Sequence, residues 1–297
     1  MAASLPALIL WDGATGSLGK WFAPAFPGRP IVARLEDDQG TRQDIETALR
    51  GLAANERVVF VSMAGRVPVG ACELDPLGTY RINVELVAAR AATFGAVARA
   101  MRLRPSIVYV SSGHVYAGAE QPLTEEAPTA PRSVYAKSKL DCESALRRLD
   151  LPVVIARVFG LIAPRQPAAY VLPALIARVR EGRLDRIGGL DNVRDYLDAR
   201  DVCRILVSLA TAPLQGTSLF NVSSGEGVRI RDVLSTILRE SGAADWAARA
   251  GALEGDAGRP GDLRVLVGDP TRIQALLGTP CRTIGLATTV RDALAAA

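Results

Sequence analysis

Leu8-Ile9-Leu10-Trp11 is followed, one residue later, by Gly13-Ala14-Thr15-Gly16-Ser17-Leu18-Gly19. Four apolar residues in a row read as a strand buried on both faces. Glycines at every third position then mark a turn that leads into a helix. The first glycine permits the tight turn, the second lets backbone approach a pyrophosphate, and the third allows the helix to pack on the strand. Unpaired amides at the helix start and the helix dipole favour a bound anion. Such a turn is weak evidence alone, and its place straight after a buried strand is what strengthens it. It assigns Gly13, Gly16, Ser17, Leu18 and Gly19 to a dinucleotide site. Pro24, Pro27 and Pro30 leave the following helix very short.

The same rhythm continues outward. Ile31–Ala33, Val58–Val61, Ile107–Val110 and Val153–Ala156 are further short apolar runs. Between them Asp44–Ala54, Tyr80–Arg102 and Ser133–Leu149 read as helices. Alternating strands and helices predict an α/β fold, a doubly wound parallel sheet of the Rossmann-like kind. Beyond about residue 160 the pattern changes. Pro164, Pro167 and Pro173 break up a loop and a helix, and Gly188-Gly189 opens a turn. A strand at Leu219–Val222, a helix from Ile230 to Ser241 and a capped start at Asp269-Pro270 follow. The expected division is 1–160 for the dinucleotide-binding domain, with segments around 190–215 returning to it, and 161–297 mainly for a smaller substrate-binding lobe.

Composition excludes several classes. At 297 residues, 49% hydrophobic and 22% charged, the chain is globular. No apolar run approaches the ~20 residues that span a bilayer. Met1–Trp11 has no basic stretch before its apolar residues, so no signal peptide and a cytoplasmic location are expected. Cys72, Cys142, Cys203 and Cys281 form no C-x-x-C pair, and His114 is the only histidine, which excludes a multi-histidine metal site. The net charge of +4 comes from scattered arginines without a basic block. That argues against nucleic acid and fits an anionic small molecule as partner.

The end of the second strand bears on cofactor choice. An acidic residue there would bind the ribose hydroxyls of NAD, whereas an arginine pairs with the 2′-phosphate of NADP. Val32-Ala33-Arg34 puts Arg34 at that end and favours NADP over NAD. Glu36 and Asp37 would invert the reading if the strand ran on.

Tyr135 and Lys139 are four residues apart in a helical stretch, hence on one face. A phenol with a pKa near ~10 is too weak a base at neutral pH. An ammonium about 4 Å away, at an effective dielectric of ~20, lowers that by roughly three pK units. Tyr135 thereby enters the range of general acid/base catalysis. Lys137 points elsewhere on the helix and is expected in solvent. Ser111-Ser112-Gly113-His114-Val115-Tyr116 follows the strand Ile107–Val110, at the carboxyl end where doubly wound sheets place their sites. A serine hydroxyl there can hydrogen-bond a carbonyl.

The glycine turn, S-S-x-x-V-Y and Tyr135-x-x-x-Lys139, in this order and spacing, resemble the extended short-chain dehydrogenase/reductases, the NAD-dependent epimerase/dehydratase family. The resemblance implies Ser112, Tyr135 and Lys139 as catalytic residues. It also implies Ala64 and Gly65 of Ser62-Met63-Ala64-Gly65, with Asn83, at the cofactor. His114, two residues after Ser112, reads as a local structural or rim residue, with proton donation to substrate as the alternative. The family's dehydratases carry acidic residues where this chain has Gly113 and His114, which argues against dehydration.

Arg194-Asp195-Tyr196-Leu197-Asp198-Ala199-Arg200-Asp201, Phe220–Gly225, Arg259-Pro260-Gly261-Asp262 and Asp269-Pro270-Thr271-Arg272 resemble segments of sugar-nucleotide epimerases and reductases. The resemblance implies that Arg194 and Arg259 grip a substrate diphosphate; the alternative is salt bridging to Asp195 or Asp262. Many relatives have an asparagine where Gly160 stands, so the sugar pocket is altered here. The chain is similar to reductases of GDP-4-keto-6-deoxymannose and related 4-keto sugars. That implies reduction of a nucleoside-diphosphate sugar with NADP(H) by a homodimer formed through helices such as 80–102 and 133–149. The rival readings are a 4-epimerase that keeps NAD bound and a catalytically silent relative that binds a dinucleotide.

Overall fold

In a computed structural model of the chain, the described residues are 5–25, 31–35, 41–185, 187–213, 215–243, 245–251, 255–256 and 262–296. The apolar runs are strands: β1 (Leu8–Trp11), β2 (Ile31–Arg34), β3 (Arg57–Ser62), β4 (Arg104–Ser112) and β5 (Val153–Val158). With Thr217–Val222 they form a six-stranded sheet in the order β2, β1, β3, β4, β5, then 217–222. β1 lies between β2 and β3 and is parallel to both, Leu10 aligning with Ala33 on β2 and Phe60 on β3. Because the chain steps from β1 to one side for β2 and to the other for β3, the carboxyl ends of β1 and β3 flank a topological switch point, where such sheets hold ligands. β4 runs longer than its apolar centre suggests and takes in Ser111 and Ser112.

Helices cover this sheet because their apolar faces match it. α2 (Arg42–Leu49) starts at a capping box, Thr41 and Asp44 each satisfying the other's backbone N–H. Its Ile45 and Leu49 join Leu10, Phe60, Ile107, Tyr109 and Ile155 of the strands in one core. α1 (Gly19–Phe22) is a single turn that passes into the 3-10 turn Ala23–Ala25, as its prolines require. α3 (Val69–Leu74) and α4 (Pro76–Tyr80) precede α5 (Val87–Ala100). The expected helix 80–102 is not uniform, since Arg81–Leu86 is a π-helical turn. α5 contributes Val87, Ala91, Phe94, Val97 and Ala98 to the core, Phe94 meeting Phe60 at 5.6 Å between ring centroids. α6 (Val134–Leu146) begins where Ser133 Oγ accepts the Ala136 N–H at 3.1 Å.

The chain divides into two compact units. The first is 1–115, 133–157 and 203–220, and the second is 116–132, 158–202 and 221–297. The segment returning to the first unit is thus 203–220 rather than 190–215. The reason is that the strand Val193–Asp198 pairs with Gly227–Arg229, Val265–Leu266 and Gly160–Ile162 in the small sheet of the second unit. That unit has its own core, with Leu172 and Ile176, Val233 and Ile237, and Val290 packed together from three helices. Gly160 is a strand residue whose added Cβ would run into the Asp195 carbonyl and lie 2.7 Å from the Tyr196 ring. The strand pairing therefore demands glycine at that position. The helix after Asp269-Pro270 starts one residue later than expected. Pro270 occupies the cap position, and Asp269 Oδ1 accepts the Thr271 N–H at 2.8 Å. Among the described residues no helix is long and apolar enough to cross a membrane.

Candidate active site

The three glycines of the turn do different work. Gly13 has φ +76°, and a Cβ there would lie 2.7–2.9 Å from the Met63–Ala64 backbone. A Cβ on Gly19 would lie within 2.6 Å of the Ala14 backbone. Gly16 would meet only the Gly13 carbonyl, at 3.2 Å, so its openness is not required by packing. Asp12, between strand and turn, has 0% exposure. Its Oδ1 accepts the Met63 and Ala64 N–H groups at 2.8 Å each, and its Oδ2 accepts from Arg90 at 3.3 Å. Burial pushes the Asp12 carboxyl above the usual range, against those amides and Arg90, which pull it down. Asp12 thus ties the glycine turn to the end of β3. Sequence reading missed it, although an acid between a buried strand and a glycine turn has to find partners.

The residues fit a dinucleotide diphosphate. Ser17 Oγ is buried in the turn without a hydrogen-bond partner. A buried hydroxyl left unsatisfied is costly, and a phosphate oxygen would satisfy it. With α1 only one turn long, the turn's amides and Ser17 would meet such a phosphate rather than an extended helix dipole. Leu18 is buried at the end of the turn. Arg34 is the last residue of β2, aligned with Trp11, and exposed. Glu36 and Asp37 lie outside the described residues.

At the end of β3, Ala64 is buried, and a Cβ on Gly65 would lie 3.3 Å from both Asn83 Oδ1 and Lys139 Nζ. Asn83 sits on the π-turn, and its amide is spent on protein groups. Oδ1 accepts the Arg66 N–H at 2.7 Å, and Nδ2 donates to the Arg66 carbonyl at 3.1 Å and to Ser138 Oγ at 3.0 Å. It pins the chain after Gly65 to α6, one residue before Lys139.

Tyr135, 7% exposed, and Lys139, 3% exposed, stand one turn apart on α6. Lys139 Nζ donates to the Val110 carbonyl at 2.9 Å and lies 5.0 Å from the centroid of the Tyr109 ring. Burial holds its ammonium below the ordinary lysine range, opposed by Cys142, Asp12 and Glu143. Lys137 is exposed, as its position on the helix predicts. Ser112 ends β4, and its Oγ accepts the His114 N–H at 3.2 Å. His114 is half-buried, and its ring meets Tyr135 edge-on, 6.2 Å between centroids at 72°. His114 therefore stands beside the Tyr135 ring. Sequence reading also passed over the buried group of Ser111, Glu143 and Arg157 that joins β4, α6 and β5.

In the second unit, Arg194 is 8% exposed. Its Nη1 donates to the carbonyls of Val193 and Arg264, and its Nη2 to Asp262 Oδ1 at 2.6 Å. A diphosphate at Arg194 would have to displace Asp262 from Nη2. Asp195 does not pair with Arg194; it accepts the Ser224 and Gly225 N–H groups. Arg259 lies outside the described residues.

Residues 12–223 match the NAD dependent epimerase/dehydratase family, and the chain belongs to that family. Among curated proteins it is 32% identical to GDP-6-deoxy-D-mannose reductase of Pseudomonas aeruginosa over 192 residues, 60% of this chain and 59% of that relative's length. It is 28% identical to UDP-glucose 4-epimerase of Azospirillum brasilense over 81% of this chain and 72% of that protein. Among solved structures it superposes on RMD from Pseudomonas aeruginosa complexed with NADPH, with a TM-score of 0.76, 24% identity and 97% of each chain covered. For Thermus thermophilus UDP-glucose 4-epimerase complexed with NAD the TM-score is 0.75, with 22% identity and coverage of 97% of this chain and 98% of that chain.

Proposed function

We propose that the chain reduces a carbonyl on a nucleoside-diphosphate sugar with NADP(H), the carbonyl being C4 of a 4-keto-6-deoxyhexose. The observation that carries this reading is the burial of Tyr135 and Lys139 on one face of α6, with Lys139 against the Gly65 strand end of the switch point. The similarity to GDP-6-deoxy-D-mannose reductase supports the substrate class.

The turn amides and Ser17 would hold the pyrophosphate, and Arg34 the 2′-phosphate. A dinucleotide held there would supply hydride to the carbonyl carbon. Tyr135 gives its phenolic proton to the carbonyl oxygen, and the Lys139 ammonium stabilises the phenolate left behind. Ser112 Oγ already accepts from the His114 N–H, so its own proton is free to donate to the same oxygen.

A 4-epimerase with tightly bound NAD is the second reading, favoured by the longer alignment with the Azospirillum brasilense epimerase. A homodimer in the cytoplasm completes the proposal. Leu74 and Leu77, 89% and 82% exposed on α3 and α4, support a covered surface there.

The test is turnover of GDP-4-keto-6-deoxymannose, followed by NADPH absorbance. The native chain should consume NADPH, and Tyr135→Phe should abolish turnover while NADPH still binds. Turnover by that variant would overturn the mechanism. Protein that purifies with NAD and does not consume added NADPH would select the epimerase.

A further inference from the structure

One group of buried charges has no part in the proton transfer just described. Glu143 on α6 is 1% exposed and Arg157 on β5 is 4% exposed. Arg157 Nε and Nη2 grip the two carboxylate oxygens at 2.9 and 2.7 Å. Ser111 Oγ, from the end of β4, donates to Glu143 Oε1 at 2.5 Å. A buried ion pair is a poor way to stabilise a fold, because apolar residues of similar volume do so as well. What it does supply is direction, since a bidentate guanidinium holds a carboxylate in one orientation.

Where the carboxylate is held matters. Tyr135, Lys139 and Glu143 follow each other at four-residue steps on one face of α6. Lys139 is tied to the Val110 carbonyl and Glu143 to Ser111, so two successive turns of the helix are fastened to two successive residues of β4. The next residue of β4 is Ser112. The Tyr135 backbone lies about 12 Å up the helix from that of Glu143 at ~1.5 Å per residue, so a small tilt at the Glu143 anchor is amplified at Tyr135. Around Glu143 stand Lys139 and Cys142 from its own helix, Tyr109 and Ser111 from β4, and Arg157 from β5.

We propose that Glu143 is a positioning residue of the reaction: oriented by Arg157 and hooked to Ser111, it sets the Ser112 hydroxyl and the Tyr135 phenol in register on one carbonyl oxygen. The inference rests on the reading of Ser112 and Tyr135 given above. It adds that the serine before the catalytic one has a distinct duty, facing the helix rather than the substrate.

Ser111→Ala is the decisive variant, because it removes the hook and leaves the ion pair intact. In full-length protein its kcat should fall about tenfold, while KM and the NADPH dissociation constant stay within twofold. The unfolding midpoint should drop, because a buried carboxylate loses one donor, but the chain should still be fully folded at the assay temperature. A misplacement on the order of 1 Å is worth up to ~100-fold, so Glu143→Gln, which also loosens Arg157, should lose more kcat and shift its pH profile. Glu143→Leu/Arg157→Met refills the space with apolar atoms and should fold yet share the kcat loss. If Ser111→Ala, or the folded double variant, turns over within twofold of the native enzyme, the pair is structural only and the proposal is wrong. A native enzyme without turnover, or an active Tyr135→Phe, sinks the parent reading and this one with it.

Discussion

Adding one methyl group to each glycine of the first turn separates folding from cofactor binding. In Gly19→Ala the new Cβ lies within 2.6 Å of the Ala14 backbone. No rotamer relieves that overlap, and overpacking costs about 1–3 kcal/mol, here at the upper end. In Gly13→Ala, φ +76° costs roughly 1–2 kcal/mol. The Cβ also pushes on Met63 and Ala64, whose amides are held by Asp12, and weakening bonds to a charged acceptor costs about 1.5–3 kcal/mol more. Both variants should therefore lose on the order of 3 kcal/mol, a large share of the ~5–15 kcal/mol that folds a protein. Gly16→Ala meets one carbonyl at 3.2 Å and should fold within about 1 kcal/mol of the native chain. Its methyl would stand where backbone approaches a phosphate, so NADPH should bind at least about tenfold more weakly. Urea unfolding followed by tryptophan fluorescence reads the first effect, Trp11 being buried just before the turn. NADPH fluorescence titration reads the second. A folded Gly16→Ala that binds NADPH normally, or a Gly19→Ala that unfolds at the native midpoint, would refute this reasoning.

Arg34→Ala should weaken NADPH about 10- to 100-fold and leave NADH within a few-fold, because only the 2′-phosphate contact is lost; equal losses for both cofactors would remove Arg34 from that role. Lys139→Met should abolish turnover and also change how stability depends on pH. Burial lowers the Lys139 pKa in the folded chain, so above that value the unfolded chain binds more protons and native stability rises with pH toward about 10. The variant lacks this term, and its stability relative to native should be highest near neutrality and decline in alkali. A difference that is flat with pH in denaturant titrations would contradict the buried charged ammonium.

The sheet was legible because strands such as β1, β3 and β5 are buried on both faces and read as unbroken apolar runs. The placement of Tyr135 and Lys139 on one face of a helix and of Ser112 at a strand end was legible, because spacing and apolar runs carry it. Other features were hidden for a common reason. Asp12, Glu143 and Arg157 are charged, and charge reads as surface until a partner from a distant element is known. The π-turn at Arg81–Leu86 follows from no local propensity; it carries an Asn83 amide that must meet both the Arg66 backbone and Ser138. The bounds of the segment that returns to the first unit, 203–220, were not legible because the pairing of Val193–Asp198 with the small sheet is invisible in either strand alone. The neighbour of His114 was not legible, because it is the 3-10 turn Gly113–Val115 that brings the ring edge-on to Tyr135.

The edge-on contact of His114 with Tyr135 provides a ready-made spectroscopic window. The chain has a single imidazole, so its ring protons give one set of resonances that needs no assignment strategy and no label. Ring currents from the neighbouring phenol shift those resonances, and every ligand that reorients the tyrosine will be visible through the one histidine next to it.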